Sequence, residues 1–160
     1  MGSGKTTVGR LLADLAGYDF LDLDDLIVTR AGKSIDAIFV EHGEDEFRRL
    51  ERDAVASLRG LERTVVALGG GTYTFSVNRD RISLIGKTVW LDSPLDLCLS
   101  RTEGDGTRPL LRDKESLGPL FDERRNSYRL ADYVFNAGSD SPDQVAFAIA
   151  SMLRREGLLE

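Results

Sequence analysis

Gly2-Ser3-Gly4-Lys5-Thr6-Thr7 has the residue types and spacing of a loop that cradles phosphate. Glycines let consecutive backbone N–H groups turn toward phosphate oxygens with no Cβ in the way. In the pattern G-x-x-x-x-G-K-[ST], the lysine reaches the β- and γ-phosphates and the hydroxyl after it sits on Mg2+. Lys5 and Thr6 occupy those positions. Further on, Asp22 and Asp24 are spaced two apart, so on a strand they share one face. A carboxylate there can hold Mg2+ through water or accept a hydroxyl proton. Gly69-Gly70-Gly71 lets backbone approach something closely, and Arg48, Arg108 and Arg129 offer planar forks for anions.

Each feature also has a plainer account. Gly2-Ser3 could simply precede an ordinary helix. Asp24 and Asp25 could favour the N-terminus of the next helix. The three glycines could form a tight turn, and Arg129 could complement a helix dipole. For Arg49, a solvated helix charge is the better reading. Together, arginines beside a phosphate loop in an acidic chain point to anion recognition.

The elements that must position these residues follow from periodicity. Val8, Leu11, Leu12 and Leu15 mark an amphipathic helix that Gly17 stops, with its N-terminus aimed at the same anion. Tyr18 to Leu21 reads as a strand whose C-terminal end carries Asp22 and Asp24, the edge where open α/β sheets bind ligands. Helices are expected over 26–30, after a Ser34 cap, and from Gly43 to Leu58. Thr64 to Leu68 is a strand closed by the glycines, Phe75 to Leu84 a helix, and Thr88 to Leu91 a strand. Ser93-Pro94-Leu95-Asp96 reads as a capping box for a helix ending near Arg101. Thr102 to Asp113, with Gly104 and Gly106, reads as a mobile loop. A helix over 116–130, a strand at Tyr133 to Phe135 and a helix from a second capping box at Ser141 complete the order. Alternating helices and strands predict a parallel sheet with crossover helices.

The totals limit the alternatives. A chain of 160 residues with 41% hydrophobic and 30% charged side chains is one ordinary α/β domain, residues 1–160. The net charge of −6 and the pI of about 4.9 argue against nucleic-acid or acidic-membrane partners. The single Cys98 excludes an internal disulfide and a cysteine-based zinc site, and the single His42 excludes a histidine cluster. With no membrane-length apolar run and no signal peptide, a cytoplasmic location is expected.

With these residues assembled, the chain resembles the shikimate kinases, a family of small phosphate-loop kinases, over nearly its whole length. The resemblance is carried by G-S-G-K-T-T-V-G-R at 2–10, D-L-D at 22–24, G-K-S-I-D-A-I-F at 32–39 and G-E-D-E-F-R-R-L-E at 43–51. It continues in the triple glycine at 69–71, T-R-P-L-L at 107–111 and R-N-S-Y-R at 125–129. It implies an α/β three-layer kinase fold with a mobile lid over about 102–116. The implied sheet order is 2-3-1-4-5, with the family's first strand and the loop's first glycine expected upstream of a start placed too far downstream.

It further implies transfer of the ATP γ-phosphoryl group to the 3-hydroxyl of shikimate, in the route to chorismate, by a monomer using Mg2+. ATP would be bound by Gly2, Ser3, Gly4, Lys5, Thr6 and Thr7, with Arg101 beside the adenine and Arg108 brought in by the lid. Thr6 and Asp22 would lie at the metal. Lys5, Asp22 and Arg108 would act in catalysis. Shikimate would be held by Asp24, by Gly69, Gly70 and Gly71 against its ring, and by Arg48 and Arg129 on its carboxylate. The alternatives are a gluconate-type kinase and a non-catalytic nucleotide-binding module.

Overall fold

The computed structural model describes residues 2–101 and 114–159, and of residues 114–117 the backbone only. The order is α1 (Lys5–Ala16), β1 (Asp19–Asp22), α2 (Leu23–Ala31), α3 (Ile35–Ser57), β2 (Thr64–Ala67), a 3-10 turn (Thr72–Thr74) and α4 (Ser76–Ser83). It continues with β3 (Val89–Asp92), α5 (Leu95–Ser100), α6 (Lys114–Tyr128), β4 (Tyr133–Asn136) and α7 (Pro142–Arg155).

The strands form two parallel pairs. In one, β1 lies beside β2 in the register Asp19↔Thr64 to Asp22↔Ala67. In the other, β3 lies beside β4 from Val89↔Tyr133 to Asp92↔Asn136. These are the neighbours the family order implies, second beside third and fourth beside fifth. Among the described residues no ladder joins β2 to β3. A cavity of about 560 Å3 is lined by Val65 and Val66 of β2, Val89 and Leu91 of β3, and Leu12 and Ile149 of the covering helices.

Two apolar clusters hold this frame. Val8 and Leu12 of α1 pack with Leu91 of β3 and with Val145, Ala146 and Ile149 of α7. Leu23 and Ile27 of α2 pack with Ile38, Phe47, Val55 and Leu58 of α3 and Ile82 of α4. Each such side chain is worth about 1.5–3 kcal/mol on leaving water. The first cluster anchors the helix behind the phosphate loop, and the second anchors the long helix that carries Arg48.

Local signals were read well at most element ends. Gly17 caps α1 with φ +64°, and Ser141 with Gln144 forms the expected capping box at α7. The two helices expected at 34–39 and 43–58 run on as α3, bent at Gly43, whose φ of +79° no helix interior adopts. Three expectations are corrected. Pro94, not Ser93, caps α5, because the Ser93 hydroxyl donates to the Ala137 carbonyl at 3.3 Å instead. Asp22 is itself the N-cap of α2, accepting from the Asp24 amide at 3.0 Å. Asp24 therefore sits in the first turn of that helix and does not share a strand face with Asp22.

Candidate active site

The phosphate loop is set by Gly4, whose φ of +86° turns the chain into α1 without any side-chain cap. The first amides of a helix have no intrahelical partner and carry the positive end of its dipole. No acidic residue stands in the first turn of α1 to compete for them. Gly2, Ser3, Lys5, Thr6 and Thr7 surround this terminus. Lys5 and Ser3 line the large cavity, and Ser3, Gly4 and Thr7 line a second one of about 310 Å3 with Arg101. Arg101 is exposed there. Arg108 and most of the lid expected at 102–116 lie outside the described residues.

Thr6 and Asp22 meet. The Thr6 hydroxyl donates to Asp22 Oδ2 at 2.8 Å, joining the start of α1 to the end of β1. Two hard oxygens thus stand side by side where the loop opens. Among the described residues no group of three or more His, Cys, Asp or Glu could hold a metal by itself. The Thr6 hydroxyl and the Asp22 carboxylate are oxygen donors of the kind Mg2+ takes, the rest of its shell coming from phosphate and water.

The three glycines each meet a different partner. A Cβ on Gly69 would lie 2.6 Å from Asp24 Oδ1, and one on Gly71 would lie 2.6 Å from Arg48 Nη1. Between them, the Gly70 carbonyl accepts the Tyr128 hydroxyl. Burial pushes the Tyr128 phenol up, so it stays protonated and donates. The turn is a close-approach surface, and side chains there would drive Asp24 and Arg48 out of place.

Arg48 is held by hydrogen bonds along its edges. Its Nε and Nη2 donate to Glu44 at 3.1 and 2.9 Å, and its Nη1 donates to Glu51 at 3.1 Å. Glu51, 1% exposed, spends its other oxygen on the Thr72 hydroxyl at 2.7 Å. A buried carboxylate bonded on both oxygens orients the guanidinium in front of the glycine turn. Glu51 was missed in the sequence, although it falls on the apolar stripe of Phe47, Ala54, Val55 and Leu58. Arg49 pairs with Glu46 and Asp53 at 2.7 and 2.8 Å on the exposed face, the solvated role expected of it.

The second arginine expected at the substrate, Arg129, is on the surface. Arg129 lies exposed just beyond α6, donating to Asn126 at 3.4 Å. Arg124, 8% exposed, lines the large cavity with Lys5, Gly69 and Gly70. Tyr128, four residues on, shares its helix face, whereas Arg129 does not. That i,i+4 spacing was the available signal. Arg125 fastens α6 to β3, donating to Asp92 at 2.7 Å and lying 5.4 Å over the Trp90 ring, which turns Arg124 inward.

A parallel α/β frame with a lysine-bearing glycine loop, a hydroxyl–carboxylate pair beside it and an arginine against a glycine turn defines a small phosphate-loop kinase. A family model described as shikimate kinase matches residues 1–154. The chain is 45% identical to a shikimate kinase of Geobacter sulfurreducens over 96% of its length and 87% of the relative's. It is 40% identical to one from a Sulfurihydrogenibium species, covering 97% and 94%. Among solved structures, shikimate kinase from Acinetobacter baumannii in complex with shikimate superposes with a TM-score of 0.94 at 36% identity, over 99% of this chain and 90% of that one. The chain belongs to the shikimate kinase family.

Proposed function

We propose that the protein transfers the γ-phosphoryl group of ATP to the 3-hydroxyl of shikimate, giving shikimate 3-phosphate and ADP. The observation that carries this is the glycine turn, where Gly69, Gly70 and Gly71 meet Asp24, Tyr128 and Arg48 respectively. It joins a hydroxyl-binding carboxylate to a carboxylate-binding guanidinium across a turn with no side chains, against which a ring can pack. In the family, one solved relative is described as a complex with shikimate.

The chain's own residues divide the work by chemistry. Amides at the start of α1 and Lys5 hold the phosphates and offset the charge that spreads over the transferring group. Thr6 and Asp22 would hold Mg2+, which supplies charge neutralisation between phosphates. Asp22 also takes the proton of the attacking hydroxyl in this reading. Asp24 accepts from substrate hydroxyls, and Arg48 with Arg124 grips the carboxylate, a task that suits planar forks. Arg101 lies against the nucleotide base. Arg108 is the lid arginine of the family pattern. The protein acts as a monomer in this reading. Among the described residues no helix is long and apolar enough to cross a membrane. We assign the reaction to the cytoplasmic route to chorismate and the aromatic amino acids.

The test is shikimate-dependent ADP release by the purified chain, with gluconate as the rival acceptor. Turnover with gluconate in place of shikimate would favour the gluconate-type alternative. ATP binding without turnover on either acceptor would favour the non-catalytic module.

A further inference from the structure

The Arg48 guanidinium carbon lies over two aromatic rings, 5.2 Å from the Phe47 centroid and 5.0 Å from the Phe75 centroid. The two rings differ. Phe47, 6% exposed, belongs to the core of α3, whereas Phe75 is 42% exposed at the rim of the site. What sets Phe75 apart among the exposed rings is its place over a guanidinium, which a ring face attracts.

Its mounting is rigid. Phe75 caps α4, its carbonyl accepting from the Asn78 and Arg79 amides at 3.1 Å each. Just before it, Thr72 is fully buried and bonded to Glu51, and Arg79 donates to the Tyr73 and Thr74 carbonyls at 3.0 and 2.7 Å. The ring is therefore presented by a braced turn, not by a mobile tip.

We infer that Phe75 is a positioning residue for carboxylate recognition: its ring holds the face of Arg48 so that the guanidinium edge stays aimed at the ligand. The inference rests on the reading that Arg48 grips the shikimate carboxylate. A contact through the π face uses none of the N–H donors. Glu44 and Glu51 take one N–H from each terminal nitrogen of Arg48, and each of those nitrogens carries two. One N–H per terminal nitrogen is thus left for a bidentate carboxylate. Without the ring, Glu44, which is exposed and bonds both Nε and Nη2, is positioned to draw the fork toward solvent.

The test is calorimetric binding of shikimate, its uncharged methyl ester and ATP to the full chain and its Phe75→Leu, Phe75→Tyr and Arg48→Ala variants. Phe75→Leu should raise the shikimate Kd about fivefold, and Phe75→Tyr should keep it near the parent value. ATP affinity should not change, and the methyl ester should bind parent and Phe75→Leu alike. An unchanged shikimate Kd in Phe75→Leu, with a weakened one in Arg48→Ala, overturns the role of Phe75 and leaves Arg48 in place. Equal weakening of shikimate and its ester by Phe75→Leu also overturns it, because the ring would then be packing against the ligand. No loss of shikimate affinity in Arg48→Ala overturns the underlying reading and this inference with it.

Discussion

The Thr6 hydroxyl and the Asp22 carboxylate, 16 residues apart, are joined by a 2.8 Å hydrogen bond that ties the phosphate loop to the end of β1. Asp22 has a second duty as the cap of α2. The two duties can be separated. Asparagine also caps well, so Asp22→Asn should keep the melting temperature close to the parent's. It should lower kcat by about 100-fold and raise the Mg2+ needed for half-maximal turnover, because the charge is lost. A Mg2+ titration of initial rates, beside thermal melts, checks both. Unchanged Mg2+ dependence would remove Asp22 from the metal site.

Gly71→Ala places a methyl group 2.6 Å from Arg48 Nη1. The guanidinium must shift, so we expect the shikimate Kd to rise about tenfold or more while ATP affinity holds. Gly69→Ala meets Asp24 Oδ1 at 2.6 Å and should act on the hydroxyl end of the substrate instead. A deoxy analogue lacking one ring hydroxyl would distinguish them, being rejected less sharply by the Gly69 variant.

The two candidate arginines of α6 and its end give opposite expectations. Arg124→Ala removes a cavity-lining guanidinium and should weaken shikimate binding by about 30-fold or more. Arg129→Ala removes an exposed one and should change binding by less than about twofold. If the order were reversed in direct titrations, the expectation from the R-N-S-Y-R motif would be restored.

Lys5→Ala tests the phosphate loop. Shikimate affinity should be retained, whereas kcat should fall about 1000-fold, since the lost charge serves the transferring group. Single-turnover rates at saturating ATP would show whether the loss lies in chemistry or in nucleotide binding.

Away from the site, Asp132 clips the start of β3. Burial opposes its ionisation, but the Thr88 hydroxyl and amide and Lys87 outweigh it and hold its carboxyl at about 2, against an ordinary 3.8. A folded-state pKa below the unfolded one gives stability that is present above pH 3.8 and lost as pH falls toward about 2. With partial exposure screening the gain, Asp132→Asn should cost about 1 kcal/mol at pH 7. Urea melts should show that difference shrinking below pH 4 and vanishing near pH 2, since Asn cannot lose its charge as Asp132 does. A difference constant with pH would assign the loss to packing.

Much of the site could be read from the chain because its chemistry is local. Gly4, Lys5 and Thr6 act through adjacent backbone and side chains, and the same neighbours set the geometry of the loop. Gly17 and Ser141 likewise mark helix ends through interactions that span a few residues. Ser93 defeated that approach, since its partner is the Ala137 carbonyl, 44 positions away. Arg124 and Arg129 differ little as residue types. What separates them is which face of α6 the Arg125–Asp92 pair turns toward the glycine turn.

The sequence by itself determined the phosphate-binding chemistry, the order of elements and the family, because those depend on residue type, spacing and hydrophobic period. Tertiary structure alone decided that Arg124 is buried while Arg129 is exposed, that Asp22 serves both a hydroxyl and a helix cap, and that Arg48 lies over two rings. Those outcomes depend on contacts between segments tens of residues apart, made by side chains whose direction is set by packing.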